Sequence, residues 1–387
     1  MYKETYITYT DKKVGDSHSF IDDMICDELS KQLVCRSIVV MNDSSKGLFV
    51  SKKNKAALIG VPIKRSGLQR FCLIVYSFFL TWSLLKRFKH EKITILVRNE
   101  PCNMMGAALS SWLFGKLNNK KVGLIFQSSF PLEIDVEGFS FKNLIARKMI
   151  TLLLPFYDKC IVVSEEAKKR IRKYNKKITI DIIPLCVNKR FICFTPKKGI
   201  SSKKLNLLYI GTHAKIRNLE EVYLGIFYAF KQGLNICLDS VGASKSDIKR
   251  LEKNKEIAEL VSRGIVRFHE KCSRSELDVF FQKSDIGLNL IPPLPIYKES
   301  SSTKLIEYMA KGLPVISSSG IPYHHEIHNA SNTGWLVEFN SNAITKALIN
   351  VNNDWKKSNH SKETVQFVIE KMTYDRFVKA LCIQSIL

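Results

Sequence analysis

The sequence predicts an α/β protein of two Rossmann-like domains, each built on a parallel sheet. Its 387 residues are 45% apolar, enough for two domains with separate cores. Short apolar strands alternate with helical stretches, the pattern of a parallel sheet covered on both faces. That rhythm runs twice, with a linker-like segment between.

In the first half, Tyr6–Tyr9, Ser37–Met41, Ile93–Val97, Val122–Phe126 and Cys160–Val163 read as strands. Helical periodicity at about 18–34, 70–89, 102–118, 141–154 and 165–174 separates them. In the second half, strands are predicted at Leu205–Ile210, Ile236–Asp239, Val266–His269, Ile286–Leu290, Val315–Ser317 and Leu336–Val337. The stretch from Phe191 to Gly199 has linker composition. This sets domains at 1–195 and 196–359. An amphipathic last helix is expected over Ser361 to Ile386.

Charge narrows the partners. Sixty Lys and Arg face 36 Asp and Glu, for a net +24. Residues 1–195 hold 33 basic and 17 acidic side chains, residues 196–387 hold 27 and 19. From Ser44 through His90 there is no acidic residue but ten Lys and Arg, a block that seeks lipid or nucleic-acid phosphate. The ten cysteines form no Cys-x-x-Cys pair, which argues against zinc ribbons and for reduced cytosolic thiols. The start Met1-Tyr2-Lys3-Glu4 offers no apolar signal-peptide core. The longest apolar run, Phe71 to Leu85, has fifteen residues, short of the roughly 18 that span a bilayer. A buried helix is expected there, with a membrane-surface helix as alternative because Lys86-Arg87-Phe88-Lys89 follows.

The segment from Tyr297 to Ile316 carries the chemistry. Ser300 to Thr303 is rich in helix-capping residues. Leu305, Ile306, Met309 and Ala310 then recur at helical spacing, and Gly312 with Pro314 ends the helix. A helix N-terminus there can hold phosphate. Glu299 precedes it and Glu307 lies inside it, on the wheel beside Thr303 and Lys311. Two carboxylates flanking a phosphate site suit a nucleotide-sugar. Spacing alone favours a plainer reading, a solvated Glu299 and a Glu307–Lys311 ion pair, since two glutamates eight apart are common.

The words around the two glutamates resolve this. Glu-x7-Glu followed by Tyr-Met-Ala-Lys-Gly-Leu-Pro-Val-Ile resembles the donor-site signature of glycosyltransferase family 4, retaining enzymes of GT-B architecture. Ser284-Asp285-Ile286-Gly287-Leu288, Leu208-Tyr209-Ile210-Gly211-Thr212, Ile161-Val162-Val163-Ser164-Glu165, Asp181 to Asn188 and Thr333-Gly334-Trp335-Leu336-Val337 resemble family segments in chain order. The resemblance runs from about Lys159 to Phe339. It implies two domains facing across a cleft, with the donor on the second and the acceptor on the first. It also implies that the C-terminal helix, 360–387, packs back on the first domain.

By the same resemblance, Glu307 holds ribose hydroxyls and Glu299 the donor sugar near its anomeric carbon. Arg217 meets the diphosphate, and the backbone N–H groups of Ser302 and Thr303 meet phosphate or sugar. Gly211 and Thr212 form the turn after the first strand. Thr212 stands where the family usually has an arginine, so Lys215 or Lys304 is expected to compensate. The implied mechanism is departure of a nucleoside diphosphate through an oxocarbenium-like state, with acceptor attack on the same face. Arg217 and the helix N–H groups stabilise the leaving group without a divalent metal, consistent with the lack of an Asp-x-Asp motif. No cofactor is expected.

In the first domain, Gln127 stands where the family often has a histidine; it can hydrogen-bond a hydroxyl but takes no proton. Gly15 and His18 occupy the place of the family's glycine-rich turn. His324 and His328 share a helix face at i, i+4, yet no third metal ligand accompanies them. The resulting expectation is a cytoplasmic hexosyltransferase, peripheral on the inner face of the plasma membrane. It would use a nucleotide-diphosphate sugar and a glycan or lipid-phosphate acceptor, in polysaccharide, glycolipid or lipopolysaccharide biosynthesis. The alternatives are a basic nucleic-acid-binding protein, and an epimerase or phosphorylase on the same architecture.

Overall fold

Eight strands form the sheet of the first unit: β1 (Glu4–Lys13), β2 (Cys35–Asn42), β3 (Phe49–Lys53), β4 (Ala56–Gly60), β5 (Lys92–Arg98), β6 (Gly123–Ser128), β7 (Lys159–Val162) and β8 (Thr179–Ile182). The computed structural model describes residues 3–14, 18–32, 35–42, 47–63, 69–128, 141–193, 204–354 and 361–382. The strand order is β3-β4-β2-β1-β5-β6-β7-β8, parallel except for the antiparallel β3–β4 pair. A nine-residue π-helix, Phe20–Glu28, runs into α1 (Leu29–Gln32). The helices α2 (Gln69–Arg87), α3 (Pro101–Asn118), α4 (Phe141–Leu153) and α5 (Glu165–Tyr174) complete the crossovers. Ile7, Ile95, Phe126 and Val162 from the central strands meet Leu85, Met104 and Ile150 from the helices in one core.

The β3–β4 hairpin and β8 escaped the sequence reading. Val50-Ser51-Lys52-Lys53 is too polar to signal a buried strand, and β3 is an edge strand that does not need to be one. The apolar run at Phe71–Leu85 is α2. Only one side of it is buried, because Leu73, Ser77, Thr81, Leu84 and Leu85 point inward while Phe71, Val75 and Phe79 remain exposed.

The second unit's sheet has six parallel strands: β9 (Leu205–Ile210), β10 (Ile236–Val241), β11 (Val266–His269), β12 (Ile286–Asn289), β13 (Val315–Ser318) and β14 (Trp335–Val337). Their order is β11-β10-β9-β12-β13-β14, and every expected strand is present. Between them run α6 (Glu220–Lys231), α7 (Lys245–Leu251), α8 (Lys255–Ser262), α9 (Arg274–Lys283), α10 (Pro295–Lys298), α11 (Thr303–Ala310) and α12 (Pro322–Ser331). After β14 come α13 (Ser341–Asp354) and α14 (Ser361–Lys371). The core joins Leu207, Leu238, Leu288 and Ile316 to Val222, Ile226 and Leu348.

The chain divides into Met1–Asn188 with Thr373–Leu387, and Lys189–Met372. Two expectations shift. Phe191 packs edge-on against Phe281 of α9, so the second unit starts before the expected linker. The last helix stops at Lys371, and α14 packs on α11 and α12 within the second unit. Only the segment after it joins the first unit: Thr373 bridges Val187, and the fully buried Tyr374 meets Phe20 edge-on.

Candidate active site

The helix α11 begins where the serine-rich run predicts, and its cap ties it to the sheet. Ser302 is the N-cap: its Oγ accepts from the Leu305 N–H at 3.4 Å and donates to Asn289 Oδ1 at 2.6 Å. Asn289 is the last residue of β12, so the helix tip is fixed at the carboxyl end of the sheet. In open parallel sheets that edge is where ligands bind. Thr303 and Lys304 open the helix, where backbone N–H groups have no intrahelical acceptor. Glu299 sits half-buried at the end of α10, just before that tip.

Glu307 lies one turn inside α11 and is buried. Its partners are not those the helical wheel suggests. Lys304 reaches one carboxylate oxygen, and Arg274 of α9 lies 3.9 Å from the other. Lys311 instead pairs with Asp278 at 2.8 Å and stands over the Phe191 ring. The Glu307–Lys311 pair of the plainer reading is not formed. Lys304, expected to grip phosphate, is turned toward Glu307. A carboxylate offers about four acceptor positions, so two cations leave room for a ligand's hydroxyls.

The turn after β9 is brought to the same edge. Tyr308 Oη accepts from the Ile210 N–H at 2.8 Å, which pins α11 to the end of β9 beside Gly211. Arg217 closes a short 3-10 turn, Lys215–Arg217, and its guanidinium lies 4.6 Å from the centre of the Tyr297 ring. Tyr297 is two residues before Glu299, so Arg217 and the Glu299 loop meet. Thr212 is exposed, and its carbonyl accepts from Tyr209 Oη at 3.2 Å. Gly242, at φ +106°, packs so closely that an added Cβ would lie 2.4 Å from the Gly211 carbonyl oxygen. The end of β10 thus needs a glycine to approach the Gly211 turn.

Two chains of buried hydrogen bonds stand behind these loops, and in each the donors fix their order. His324 Nδ1–H donates to the Ser318 carbonyl at 2.9 Å, so its Nε2 accepts from Asn289 Nδ2 at 2.9 Å. His328 Nδ1–H donates to the Thr333 carbonyl at 2.6 Å, so its Nε2 accepts from Ser317 Oγ at 2.8 Å. Ser317 Oγ in turn accepts from Asn289 Nδ2 at 3.3 Å. Both imidazoles are held neutral by burial, which pulls His324 down to about 4 and lowers His328. Behind the β9 turn, His213 Nδ1–H donates to the Gly211 carbonyl at 3.0 Å, and its Nε2 accepts from Ser240 Oγ at 2.8 Å. The i, i+4 histidine pair is thus spent on two backbone carbonyls, the Asn289 amide and the Ser317 hydroxyl. Among the described residues no group of three or more such side chains could hold a metal ion.

In the first unit, Arg98 ends β5 fully buried, its Nε 3.1 Å from Asp11 Oδ1. Its terminal nitrogens lie 3.1 and 2.9 Å from the two ring nitrogens of His18. Burial, then Arg98, then Lys12 pull the His18 pKa down to about 2, so this ring is no general base at neutral pH. Gln127, beside Arg98 on β6, is completely buried, and neither side-chain amide atom has a hydrogen-bond partner. An unpaired buried amide costs about 1–3 kcal/mol. Gln127→Leu is expected to raise stability by about 1 kcal/mol, which thermal melts read. Gly15 lies outside the described residues.

Arg274, Asn289, Tyr297 and His213 were not singled out by sequence. Asn289 carried a signal, a polar residue ending an apolar strand where such sheets bind ligands. Arg274 carried none, since its reach to Glu307 depends on how α9 packs.

Comparison with known proteins bears on the fold and on the second unit. Residues 195–366 match the family model described as glycosyl transferases group 1. No curated protein matches the chain by sequence. Among solved structures, sucrose-phosphate synthase from Thermosynechococcus elongatus superposes with TM-score 0.70 at 15% identity, over 98% of this chain and 97% of that one. A glycosyltransferase from Rickettsia africae gives 0.69 at 17%, over 98% of each chain. Anabaena HepE, solved with UDP and glucose, gives 0.68 at 12%, also over 98% of each. At such identities the likeness is one of fold. Residues 195–366 thus resemble glycosyl transferases group 1, and the chain is a transferase enzyme of GT-B fold.

Proposed function

We propose that the protein is a retaining glycosyltransferase of family 4, moving a sugar from a nucleotide-diphosphate sugar to a glycan or lipid-linked acceptor. The products would belong to cell-surface polysaccharide or glycolipid, including lipopolysaccharide. The observation that carries the donor reading is Glu307: a carboxylate buried one turn behind a capped helix tip, with Glu299 at the mouth and Arg217 beside it. HepE, whose fold this chain shares, has been solved with UDP-glucose bound.

In this reading Glu307 accepts hydrogen bonds from ribose hydroxyls, oriented by Lys304 and Arg274. The open N–H groups at Thr303 and Lys304 and the Arg217 guanidinium receive the diphosphate. As the glycosidic bond breaks, negative charge grows on that diphosphate, and these groups are already aimed at it. Glu299 holds sugar hydroxyls near the reacting carbon. No divalent metal is needed where a guanidinium and a helix terminus supply the positive charge. The acceptor attacks from the face the nucleotide leaves, which retains the anomeric configuration.

A thermal-shift panel of UDP-, GDP- and ADP-sugars tests the donor assignment, because a ligand bound only by the folded protein raises its melting point. One nucleotide series should stabilise, and should do so equally in EDTA. A shift with none of the three sinks the reading. Donor consumption that requires no added acceptor would favour the epimerase alternative.

A further inference from the structure

Large apolar side chains crowd one exposed surface of the first unit. Of fifteen that are exposed among the described residues, nine fall on α2, α3, α4 and the turn that follows α4. These helices are neighbours, α2 packed on α3 and α3 on α4. Their inner sides supply Leu85, Met104 and Ile150 to the core, so their exposed residues share the outer side of one layer. Phe71, Val75 and Phe79 make a stripe at i, i+4, i+8 on α2; Leu109 and Trp112 lie on α3 and Leu152 on α4. Phe79 is 64% exposed, Trp112 57% and Leu152 72%. Contiguous apolar patches of this kind mark interaction surfaces.

The charge on the same helices selects the partner. Together α2, α3 and α4 contain seven Lys and Arg and no Asp or Glu. Lys116 Nζ stands 4.7 Å over the Trp112 ring, and Lys86 Nζ lies 5.3 Å over Trp82. These cations flank the aromatics, where long side chains can reach past an apolar surface to polar groups above it. Arg70 is paired with the buried Glu100, but a second copy of the chain would still set the exposed Lys86, Arg87, Lys116 and Lys148 against their like. No helix among the described residues is long and apolar enough to cross a membrane.

We propose that the outer face of α2, α3 and α4 docks on the surface of an anionic lipid bilayer. The aromatic and aliphatic side chains enter the boundary between headgroups and acyl chains, and Lys86, Lys116 and Lys148 pair with lipid phosphates. The proposal depends on the glycosyltransferase reading only for its consequence, that a lipid-linked acceptor would be met at the membrane.

Flotation with vesicles tests it in the full chain, with no donor or acceptor present. The protein should float with vesicles of equal parts phosphatidylglycerol and phosphatidylcholine, and much less with phosphatidylcholine alone. The double variant Phe79→Glu, Trp112→Glu should lower the partition coefficient about tenfold or more. Its melting temperature should stay that of the wild type, since both side chains are exposed. Tyr228→Glu, an exposed site on α6, should float as the wild type does. Equal flotation of the double variant, or none by the wild type, overturns the proposal. So does a wild-type dimer in sedimentation that the double variant abolishes, because a second copy would then occupy the face. Nucleotide-sugar melting shifts on the same preparations report the donor site separately, so a failure of docking is not confused with a failure of transfer.

Discussion

Replacing Glu307 by alanine is expected to weaken binding of the cognate nucleotide-diphosphate sugar by at least about a hundredfold while leaving the fold intact. A hydrogen bond to a charged group contributes about 1.5–3 kcal/mol, and a carboxylate holding two ribose hydroxyls loses both when truncated. That is about 3 kcal/mol or more, and each 1.4 kcal/mol is tenfold. The cost to folding is far smaller. The partners left behind, Lys304 and Arg274, have side chains 34% and 41% exposed, so water replaces the lost carboxylate. Ion pairs this open contribute about 0–1 kcal/mol.

Glu299→Ala should behave differently. Glu299 stands at the helix mouth and is assigned to the sugar near the reacting carbon, so its loss should mainly lower kcat, with a smaller effect on donor affinity. Calorimetric titration of the donor and initial rates across donor concentrations separate the two. Wild-type affinity in Glu307→Ala would remove the central element of the site. A variant that has lost donor affinity and also melts much lower would mean that Glu307 supports the fold instead.

The second half of the chain was the more legible because its signals are local. All six strands of the second sheet were foreseen, since each is a short apolar run ended by a turn residue. A cap within Ser300–Thr303 is legible because capping chemistry lies within three residues of the helix it starts, and the structure places it at Ser302. What sequence could not show are relations set by packing. Nothing near Glu307 announces Arg274, which arrives on another helix. The helical wheel offers Lys311, but Lys311 is drawn away by Asp278 and the Phe191 ring. The i, i+4 histidines share a helix face in sequence, but only packing shows that their ring nitrogens meet Asn289 and Ser317. At the chain's end, apolar periodicity ran on past Lys371, although the backbone leaves the helix there to bring Tyr374 against Phe20. A buried tyrosine on a turn and one on a helix give the same one-dimensional pattern.

Acid should expose the role of the buried histidines, and His324→Gln should blunt that effect. His324 is fully buried, and its pKa falls from the ordinary 6.5 to about 4. Between those values the unfolded chain binds a proton that the folded chain refuses. Stability therefore rises with pH across that window and is lost as pH falls from about 6.5 toward 4, by about 3 kcal/mol for this group. His328 and His213 are shifted in the same direction by burial and add to the slope. The loss also reaches the donor helix. A proton on His324 Nε2 would face the Asn289 Nδ2 donor, and relieving that clash by turning the Asn289 amide takes the acceptor away from Ser302 Oγ. The N-cap of α11 would then weaken, a loss of about 1 kcal/mol, at the tip assigned to the diphosphate. Glutamine at 324 keeps one amide donor and one acceptor but does not titrate. Urea midpoints at intervals from pH 7 to 4.5 should fall more steeply for the wild type than for His324→Gln, and donor affinity should follow the same difference. Acid titration of paired carboxylates affects both proteins alike and cancels in the comparison. Parallel slopes would show that His324 takes up its proton without opening the structure, and would detach the relay from the donor helix.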